Sequence, residues 1–351
     1  MIKVLHVVGA RPQFMKLLPL YLEMSKNQIN QEILHTGQHF DEIMSDVFFS
    51  QLEIPKPNYN LNINNLSHGA MTGRMIEEIE KILLNKSYEF LIIYGDTNST
   101  LAGAISAKKM GVKIIHIESG VRNYDPSMPE ETNRILSDRI SDLLFCNSNL
   151  AINNLKKEGF ELFESKIILS GDLMFDCLKI FESRFIIPNY NDYILVTCHR
   201  ASNTEKNNLE NIIDALNSLS HNHKIIFPIH PRTKKIIEKY NLKLNFSLSP
   251  PQDYFCFMGL IKNAKFIITD SGGLIREAYW MKKKSMLLLE KPLWPELVES
   301  NVSINCQPIK SSILSSFSKL SELDFVFPEG ILGDGKARSI IVNSIINYEQ
   351  D

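Results

Sequence analysis

Short apolar runs rich in β-branched residues recur along the whole chain and predict its strands. In the first half they cover residues 2–8, 32–35, 90–94, 112–117, 143–146 and 167–169. In the second half they cover residues 193–197, 225–229, 266–269 and 286–289. These runs do not alternate between apolar and polar positions, so the strands they form are buried on both faces. Such strands are typical of a parallel sheet that is covered by helices on both sides.

Segments with helical spacing of apolar residues lie between these runs, the clearest being residues 71–84, 101–110, 209–219 and 274–281. The alternation of strands and helices predicts doubly wound α/β domains of the Rossmann type. A length of 351 residues favours two such domains. We place the boundary near residues 171–191 and divide the chain into residues 1–175 and 176–351. The last helix is a candidate to pack back on the first domain, and we expect the two halves to face each other across a cleft.

Polar and glycine residues gather where seven of the predicted strands end. The first half has Gly-Ala-Arg-Pro at 9–12, Thr-Gly-Gln-His at 36–39, Gly-Asp-Thr at 95–97 and His-Ile-Glu-Ser-Gly at 116–120. The second half has Cys-His-Arg at 198–200, His-Pro-Arg at 230–232 and Asp-Ser-Gly-Gly at 270–273. A single His or Asp at a strand end is usually a cap or a structural residue. Seven such ends together indicate a ligand site, because open parallel sheets bind ligands at the carboxyl ends of their strands.

The turn formed by Ser271, Gly272 and Gly273 is a candidate phosphate site. Two glycines leave the backbone amides at a helix start uncovered, and the helix dipole favours an anion there. The alternative is a plain turn in which Asp270 or Ser271 caps the helix. The cations Arg11 and Lys16 in the first half favour an anionic ligand such as a diphosphate. The first loop has neither GxGxxG nor GxxxxGK[ST], which argues against a standard dinucleotide site or P-loop.

Three carboxylates of the first half, Asp96, Glu118 and Glu130, lie at predicted strand or helix ends and are candidates for general acid–base chemistry. Each has a structural alternative of different weight. Asp96 can cap a helix that starts near residue 98, and Glu130 can complement the dipole of a helix that starts after Pro129. Glu118 is hardest to explain structurally, because it ends an apolar strand.

Composition and charge exclude several classes of function. Lys and Arg number 38 and Asp and Glu number 40, so the net charge of −2 provides no broad basic field for nucleic acids or membranes. The amino-terminal run contains Lys3 and His6, which does not fit a secretory signal, and no apolar stretch is long enough to cross a membrane. The five scattered cysteines form no CxxC pair and favour reduced thiols in the cytoplasm over a disulfide framework or a zinc site.

Taken in order along the chain, these motifs resemble those of the non-hydrolysing UDP-N-acetylglucosamine 2-epimerases. The resemblance rests on Gly-Ala-Arg-Pro at 9–12 with Lys16, His-Thr-Gly-Gln-His at 35–39, Gly-Asp-Thr at 95–97, His-Ile-Glu-Ser-Gly at 116–120, Pro-Glu-Glu-Thr-Asn-Arg at 129–134, Cys-His-Arg at 198–200, Asp-Ser-Gly-Gly at 270–273 and Gly-Asp-Gly-Lys at 333–336. The match is collinear and covers nearly the whole chain.

The resemblance implies two Rossmann-like domains of the glycosyltransferase-B type, with the UDP-sugar between them and with neither a metal nor a redox cofactor. It implies inversion at C2 of a UDP-2-acetamido sugar, for the synthesis of precursors of cell-surface polysaccharides. The C2 proton is not next to a carbonyl, so its direct removal is difficult. Departure of UDP from C1 first creates an oxocarbenium-like centre that makes the C2 proton acidic, and UDP then adds back. The resemblance also implies a cytoplasmic homodimer.

Site residues follow from the same resemblance. The catalytic set comprises Asp96, Glu118, Glu130 and His199, with the order in which the acids act left open. The diphosphate would contact Arg11, His199, Ser271 and Gly272, and the ribose hydroxyls would contact Glu277. The remaining predicted substrate-binding residues are Lys16, Glu131, Arg134, His230 and Gly273.

Two segments depart from the family's usual pattern. The common Thr-Arg-Pro-Glu is Ala-Arg-Pro-Gln at 10–13, and the common Thr-Glu-Arg-Pro-Glu is Pro-Leu-Trp-Pro-Glu at 292–296. Arg276 also stands at a position that is usually acidic. Three features resemble the branch that acts on UDP-2,3-diacetamido-2,3-dideoxyglucuronate. They are Ala-Arg-Pro-Gln at 10–13, Tyr-Gly-Asp-Thr-Asn-Ser-Thr at 94–100 and Trp294. We therefore keep that sugar as the alternative to UDP-N-acetylglucosamine.

Three other functions fit the same architecture. A glycosyltransferase would pass the sugar to an acceptor, and a hydrolysing epimerase would release free N-acetylmannosamine and UDP. A nucleotide-sugar sensor would bind without catalysis, but the retained acids and His199 argue against it.

Overall fold

The computed structural model describes residues 2–38 and 52–348. Within it the chain forms two compact units. Unit 1 consists of Met1–Ile180 together with Glu329–Asp351, and unit 2 consists of Phe181–Pro328. The chain therefore passes between the units at two places in the sequence.

Unit 1 is built on a seven-stranded parallel sheet. Its strands are Lys3–Val8 (β1), Asn30–His35 (β2), Tyr59–Asn60 (β3), Phe90–Tyr94 (β4), Lys113–Ser119 (β5), Leu143–Cys146 (β6) and Lys166–Leu169 (β7). Their order across the sheet is β3-β2-β1-β4-β5-β6-β7. The order reverses between β1 and β4, which is where open parallel sheets form a ligand crevice.

Helices cover this sheet as the apolar spacing predicts. They are Arg11–Lys26 (α1), His68–Asn85 (α2), Asn98–Lys109 (α3), Pro129–Ile140 (α4), Asn149–Lys157 (α5) and Leu173–Phe181 (α6). Proline lies in the first turn of α1 and α4, where a missing N–H costs no hydrogen bond. Met75 and Ile79 of α2 are fully buried against Leu5, Leu91 and other apolar side chains of the sheet, and this packing stabilises one face of the unit.

Unit 2 contains a second parallel sheet, with six strands. They are Tyr193–Thr197 (β8), Lys224–Pro228 (β9), Leu248–Ser249 (β10), Phe266–Thr269 (β11), Lys284–Leu288 (β12) and Ser303–Cys306 (β13). The order is β10-β9-β8-β11-β12-β13, so the reversal lies between β8 and β11. The helices are Ala201–Thr204 (α7), Lys206–Leu219 (α8), Pro231–Lys239 (α9), Tyr254–Asn263 (α10), Gly272–Trp280 (α11), Pro295–Glu299 (α12) and Lys310–Glu322 (α13).

The last described helix, Ala337–Ile346 (α14), belongs to unit 1 and packs against α1. Its amino terminus is held by Asp176 of α6, whose two carboxylate oxygens accept hydrogen bonds from the Ala337 and Arg338 amides at 3.1 and 3.2 Å. Before α14, Gly333 packs against Gly171 so closely that a Cβ on either would lie within 3 Å of the other's Cα. Both glycines have a φ above +75°, which residues with a side chain rarely adopt.

The predicted fold class, doubly wound α/β domains of the glycosyltransferase-B type, is confirmed. Each of the ten predicted strands coincides with an observed strand to within two residues at either end. The apolar pattern missed β3 and β10, which have two residues each, and β13, whose sequence Ser-Ile-Asn-Cys is half polar. Among the described residues no helix is long and apolar enough to span a membrane, and no disulfide links the five cysteines.

Candidate active site

The loop after β1 is held in place by Gln13, in the first turn of α1. Its side-chain oxygen accepts hydrogen bonds from the amides of Gly9 and Ala10 at 2.7 and 2.9 Å. Its side-chain nitrogen donates to the carbonyl of Tyr94 at 2.7 Å and to the Thr97 hydroxyl at 3.0 Å. The buried carboxamide therefore ties the loop after β1 to the loop after β4 across the point where the strand order reverses. Arg11, the first residue of α1, is exposed beside this junction.

A nearly buried ion pair lies next to this junction. The ammonium of Lys16 lies 2.7 Å from Oε2 of Glu118, and their side chains are 4% and 13% exposed. Gly95 is adjacent to both, because a Cβ at this position would lie 3.5 Å from Lys16 Nζ and 3.8 Å from Glu118 Oε1. Three strand ends that are separate in sequence thus meet at one polar cluster in unit 1.

Glu118 occupies an unusual backbone conformation. Its φ is +68°, in the left-handed region that residues other than glycine rarely adopt. The pairing register between β5 and β6 shifts between Ile117 and Ser119, so Glu118 is the extra residue of a bulge. Bulges re-aim side chains and are frequent beside active sites. Here the bulge directs the carboxylate to Lys16 rather than into the alternating pattern of the strand.

A buried network supports the strand that carries Glu118. The ring of His116 contacts the carboxylate of Asp138 at 2.6 Å and the carbonyl of Gly95 at 2.8 Å. Asp138 also accepts hydrogen bonds from the Gly120 amide and from Arg122. Burial opposes ionisation of Asp138, but the charges and hydrogen bonds of His116 and Arg122 outweigh it and hold the pKa of this carboxyl below its ordinary value.

The second acid, Asp96, is bound by an arginine. Its carboxylate contacts Nη2 of Arg134, whose Nη1 lies 2.7 Å from a carboxylate oxygen of Glu131. Glu131 is buried and also accepts hydrogen bonds from the amides of Asn123 and Tyr124. Glu131 and Arg134, predicted to bind substrate, therefore make contacts here that orient Asp96 and the loop before α4.

The structural alternative for Asp96 is wrong, whereas the one for Glu130 agrees with its position. The cap of α3 is Thr97, whose hydroxyl accepts a hydrogen bond from the Thr100 amide, so Asp96 is not needed as a cap. Glu130 is exposed in the first turn of α4, where an acid complements the helix dipole. Its catalytic role stays a prediction.

In unit 2 the predicted residues follow β8 and β11, the two strands beside the reversal. Nδ1 of His199 lies 3.0 Å from Oδ1 of Asp270, which is fully buried, whereas the His199 side chain is 49% exposed. The other Asp270 oxygen accepts hydrogen bonds from the amides of His199 and Arg200, both at 2.8 Å. Burial opposes ionisation of Asp270, but the side-chain contact and charge of His199, together with the amides of Arg200 and His199, outweigh it and lower its pKa. The exposed face of the imidazole is thereby oriented toward solvent.

The glycine turn begins α11 as predicted. Ser271 is the N-cap, and its hydroxyl accepts a hydrogen bond from the Leu274 amide at 3.3 Å. A Cβ at Gly272 would lie 2.6 Å from Leu293, whereas a Cβ at Gly273 would meet only Ser271 Oγ at 3.7 Å. A side chain at Gly272 would therefore have to displace Leu293, whereas a methyl group at Gly273 has room.

The other two predicted residues of unit 2 are placed differently. Glu277 lies in the second turn of α11 and is half-buried. His230 is the N-cap of α9, and its Nδ1 accepts a hydrogen bond from the Arg232 amide at 3.1 Å, which gives it a structural role. His39, from the second loop motif, lies outside the described residues.

Several residues that the sequence reading did not select turn out to hold the site. They are Gln13, His116, Asp138 and Asp270. His116 and Asp270 carried a signal as polar residues at strand ends, whereas Gln13 and Asp138 act through contacts with distant parts of the chain.

Comparison with known proteins decides the family. The model of the UDP-N-acetylglucosamine 2-epimerase family matches residues 23–346. The chain belongs to the UDP-N-acetylglucosamine 2-epimerase family. It is therefore an enzyme of the isomerase class.

Individual relatives agree with this assignment. The chain is 45% identical to a UDP-N-acetylglucosamine 2-epimerase homolog of Methanococcus maripaludis, an alignment that covers 91% of the chain and 92% of that protein. It is 42% identical to the UDP-2,3-diacetamido-2,3-dideoxy-D-glucuronate 2-epimerase of Pseudomonas aeruginosa, over 90% of the chain and 91% of that protein. The crystal structure of the Methanocaldococcus jannaschii UDP-GlcNAc 2-epimerase, in complex with UDP-GlcNAc and UDP, aligns with a TM-score of 0.86 and 36% identity, over 99% of the chain and 100% of that structure.

Proposed function

We propose that this enzyme inverts C2 of a UDP-2-acetamido sugar, with UDP-N-acetylglucosamine as the first candidate substrate. The observation that carries the proposal is the ion pair of Lys16 and Glu118 beside Gly95, at the carboxyl edge of the unit 1 sheet, with Asp96 next in the chain after Gly95. Open parallel sheets bind ligands at this edge, which supports a role for these carboxylates at the pyranose of a bound nucleotide sugar. Proton transfer at a sugar carbon requires such positioned acids and bases.

The reaction has two half-steps in this proposal. Cleavage of the C1–O bond releases UDP, and a carboxylate removes the C2 proton, which together give a 2-acetamidoglucal. A carboxylic acid then returns a proton to the opposite face of C2, while UDP re-forms the bond to C1. Asp96, Glu118 and Glu130 are the candidate acids and bases. The diphosphate carries the developing negative charge, and preorganised donors stabilise it most effectively. The candidate donors and cations are Arg11, His199, Ser271, Gly272 and Gly273.

Other residues complete the substrate site in this proposal. Glu277 accepts hydrogen bonds from the ribose hydroxyls, and the exposed face of His199 lies over the diphosphate. Asp270 supports this role, because its contact with Nδ1 fixes the ring.

A second candidate substrate is UDP-2,3-diacetamido-2,3-dideoxyglucuronate. The specific observation in its favour is the 42% identity to the Pseudomonas aeruginosa enzyme that carries this name. The same elimination and re-addition would apply, because the second acetamido group and the carboxylate are not at C1 or C2.

Proton NMR in deuterated water tests the proposal. Each UDP-sugar is incubated with the enzyme alone, and we expect deuterium at C2 and signals of the C2 epimer with UDP still attached. The sugar that exchanges faster identifies the substrate. Free N-acetylmannosamine with UDP would show a hydrolysing epimerase instead. A glycosyltransferase would show no deuterium at C2 and would release UDP only after an acceptor is added.

Two further properties belong to the proposal. We propose a homodimer in the cytoplasm. Light scattering coupled to size-exclusion chromatography measures the first, with a mass of twice 40.2 kDa expected. Cell fractionation measures the second.

A further inference from the structure

The indole of Trp294 binds the turn that begins α11. Its Nε1–H donates a hydrogen bond to the carbonyl of Gly272 at 3.0 Å, and the residue is only 7% exposed. Trp294 lies in the loop after β12 and is the N-cap of α12, where Pro295 begins the helix. The two elements that meet here are thus separated by about twenty residues of chain.

The contact orients an amide as well as a carbonyl. A peptide unit is planar and trans, so the carbonyl of Gly272 and the N–H of Gly273 point in opposite directions. Anchoring the carbonyl on the side of α12 therefore fixes the N–H toward the open amino terminus of α11. Two consecutive glycines have the largest backbone freedom to lose. An external anchor for this peptide reduces the cost of ordering the turn when an anion binds.

Arg276 fixes the ring that makes this contact. Its guanidinium carbon lies 4.4 Å from the centroid of the Trp294 ring, and the residue is 6% exposed. A desolvated guanidinium stacked on an indole is a favourable cation–π contact. On the other side, Leu293 fills the space beside Gly272 so closely that a Cβ there would lie 2.6 Å from it. The carbonyl, the indole and the guanidinium therefore form a packed stack behind the turn.

We propose that Trp294 is a positioning residue that preorganises the Gly272–Gly273 peptide for the diphosphate of the substrate. This inference rests on the proposed function, in which the Ser271–Gly273 turn binds that diphosphate. Arg276 lies in α11 and Trp294 precedes α12, and their contact joins the two elements into one unit that supplies an indole donor to the turn.

The test compares two variants by isothermal titration calorimetry with UDP and with uridine. Trp294→Phe keeps an aromatic face for Arg276 and removes the N–H donor. Gly273→Ala places a methyl group in open space over the amide, so it probes the turn itself without a clash inside the fold. We expect Gly273→Ala to weaken UDP binding tenfold or more and Trp294→Phe to weaken it about three- to tenfold, the range of one lost hydrogen bond. Uridine, which has no phosphate, should bind to both variants as it does to the wild type.

The outcomes separate the two claims. Unchanged UDP affinity in Gly273→Ala would show that the turn does not hold the diphosphate. It would overturn the proposed role of Ser271, Gly272 and Gly273 in diphosphate binding. Weak binding by Gly273→Ala together with wild-type binding by Trp294→Phe would overturn the role of Trp294 alone. Equal loss of UDP and uridine affinity in Trp294→Phe would also overturn it, because that pattern indicates general damage to the unit.

A fluorescence measurement keeps the inference testable if Trp294→Phe does not fold. The chain has two tryptophans, Trp280 and Trp294. In Trp280→Phe the remaining emission comes from Trp294, and we expect saturating UDP to change its intensity or wavelength. Emission that stays constant at UDP concentrations shown to bind by calorimetry would contradict a role for Trp294 behind the diphosphate.

Discussion

Nζ of Lys16 lies 2.7 Å from Oε2 of Glu118, and both side chains are largely withdrawn from solvent. Lys16 is one turn into the helix after β1, and Glu118 is the bulge residue near the end of β5. The pair therefore joins α1 to β5 across the end of β4, beside Gly95. A buried ion pair contributes less by its net energy than by the penalty for removing one partner.

We predict that Lys16→Met destabilises the enzyme by about 3 kcal/mol, because Glu118 loses its cationic partner in a poorly solvated site. The double variant Lys16→Met/Glu118→Gln should recover most of this loss. Urea unfolding followed by far-ultraviolet circular dichroism measures both. A matched control is Lys81→Met, which breaks the exposed pair with Glu78 and should leave the free energy of unfolding nearly unchanged. Equal losses in the two single variants would contradict the prediction.

The same pair makes a prediction about catalysis. Glu118→Gln keeps the shape of the side chain and removes its basicity, so the rate of C2 deuterium exchange should fall by about 10²- to 10⁴-fold. Proton NMR measures the exchange. Calorimetry with UDP should show nearly unchanged affinity, because Glu118 is assigned to the sugar and not to the nucleotide. A variant that exchanges at the wild-type rate would remove Glu118 from the catalytic set.

The chemistry at the strand ends was predictable because it depends on local patterns. Apolar runs identify the strands, and the carboxyl ends of parallel strands meet at one edge. The contact of Lys16 with Glu118 was not predictable, because it depends on a bulge that changes the pairing register at Ile117. Likewise, the sequence pattern allowed Asp96 to cap α3. In the structure Thr97 is the N-cap, and Asp96 forms an ion pair with Arg134.

Gln13 shows the same limit and leads to another prediction. Its partners Tyr94 and Thr97 are more than eighty residues away, so no local signal identifies it as a structural centre. Gln13→Met should destabilise the enzyme by about 3 kcal/mol, because the buried Gly9 and Ala10 amides lose their acceptor. The rate of exchange should also fall, since Arg11 directly follows this loop.

Unfolding in urea and the NMR exchange assay measure these two effects. The matched control is Gln252→Met, because the amide of Gln252 donates to a carbonyl at the surface and its loss should change neither quantity measurably. Wild-type stability in Gln13→Met would show that the loop amides find other acceptors.

Acid should destabilise the enzyme through His6, which is fully buried on β1. Its Nδ1 faces the Tyr94 hydroxyl at 2.7 Å and its Nε2 faces Gln31 at 3.1 Å. Burial lowers the pKa of this histidine from 6.5 to about 4. Between these values the unfolded chain binds a proton that the folded chain does not. Stability is therefore lost as the pH falls from about 6.5 to about 4, by about 3 kcal/mol in total.

The variant His6→Asn isolates this effect, because its side chain does not titrate. The stability of the wild type minus that of the variant should decrease steadily from pH 7 to pH 4, whatever the constant cost of the substitution. Far-ultraviolet circular dichroism is the suitable probe, since both tryptophans lie in unit 2 and His6 lies in unit 1. A difference that is independent of pH would contradict a buried neutral histidine.

Asp176 should act in the opposite direction over nearly the same range of pH. Burial raises the pKa of this carboxyl from 3.8 to about 6, although the Ala337 and Arg338 amides and the charge of Arg338 oppose the shift. Between these values the folded chain binds a proton that the unfolded chain has released. Stability therefore falls as the pH rises from about 4 to about 6, by about 3 kcal/mol. The contributions of His6 and Asp176 largely cancel in the wild type, so only variants reveal them.

Asp176→Asn removes the titration and keeps one acceptor for the amino terminus of α14. At pH 4 Asp176 is protonated in the folded wild type, so both proteins are neutral at this position and each offers one carbonyl oxygen to the amides of α14. At pH 7 the wild type carries the cost of a buried charge, so the stability of the variant relative to the wild type should have improved by about 3 kcal/mol. Urea unfolding of both proteins at pH 4, 5, 6 and 7 measures how the difference in their free energies of unfolding changes with pH. The opposite result is that the variant loses stability relative to the wild type as the pH rises. It would mean that the backbone amides and Arg338 outweigh burial, and that the carboxylate is the form that holds α14 in place.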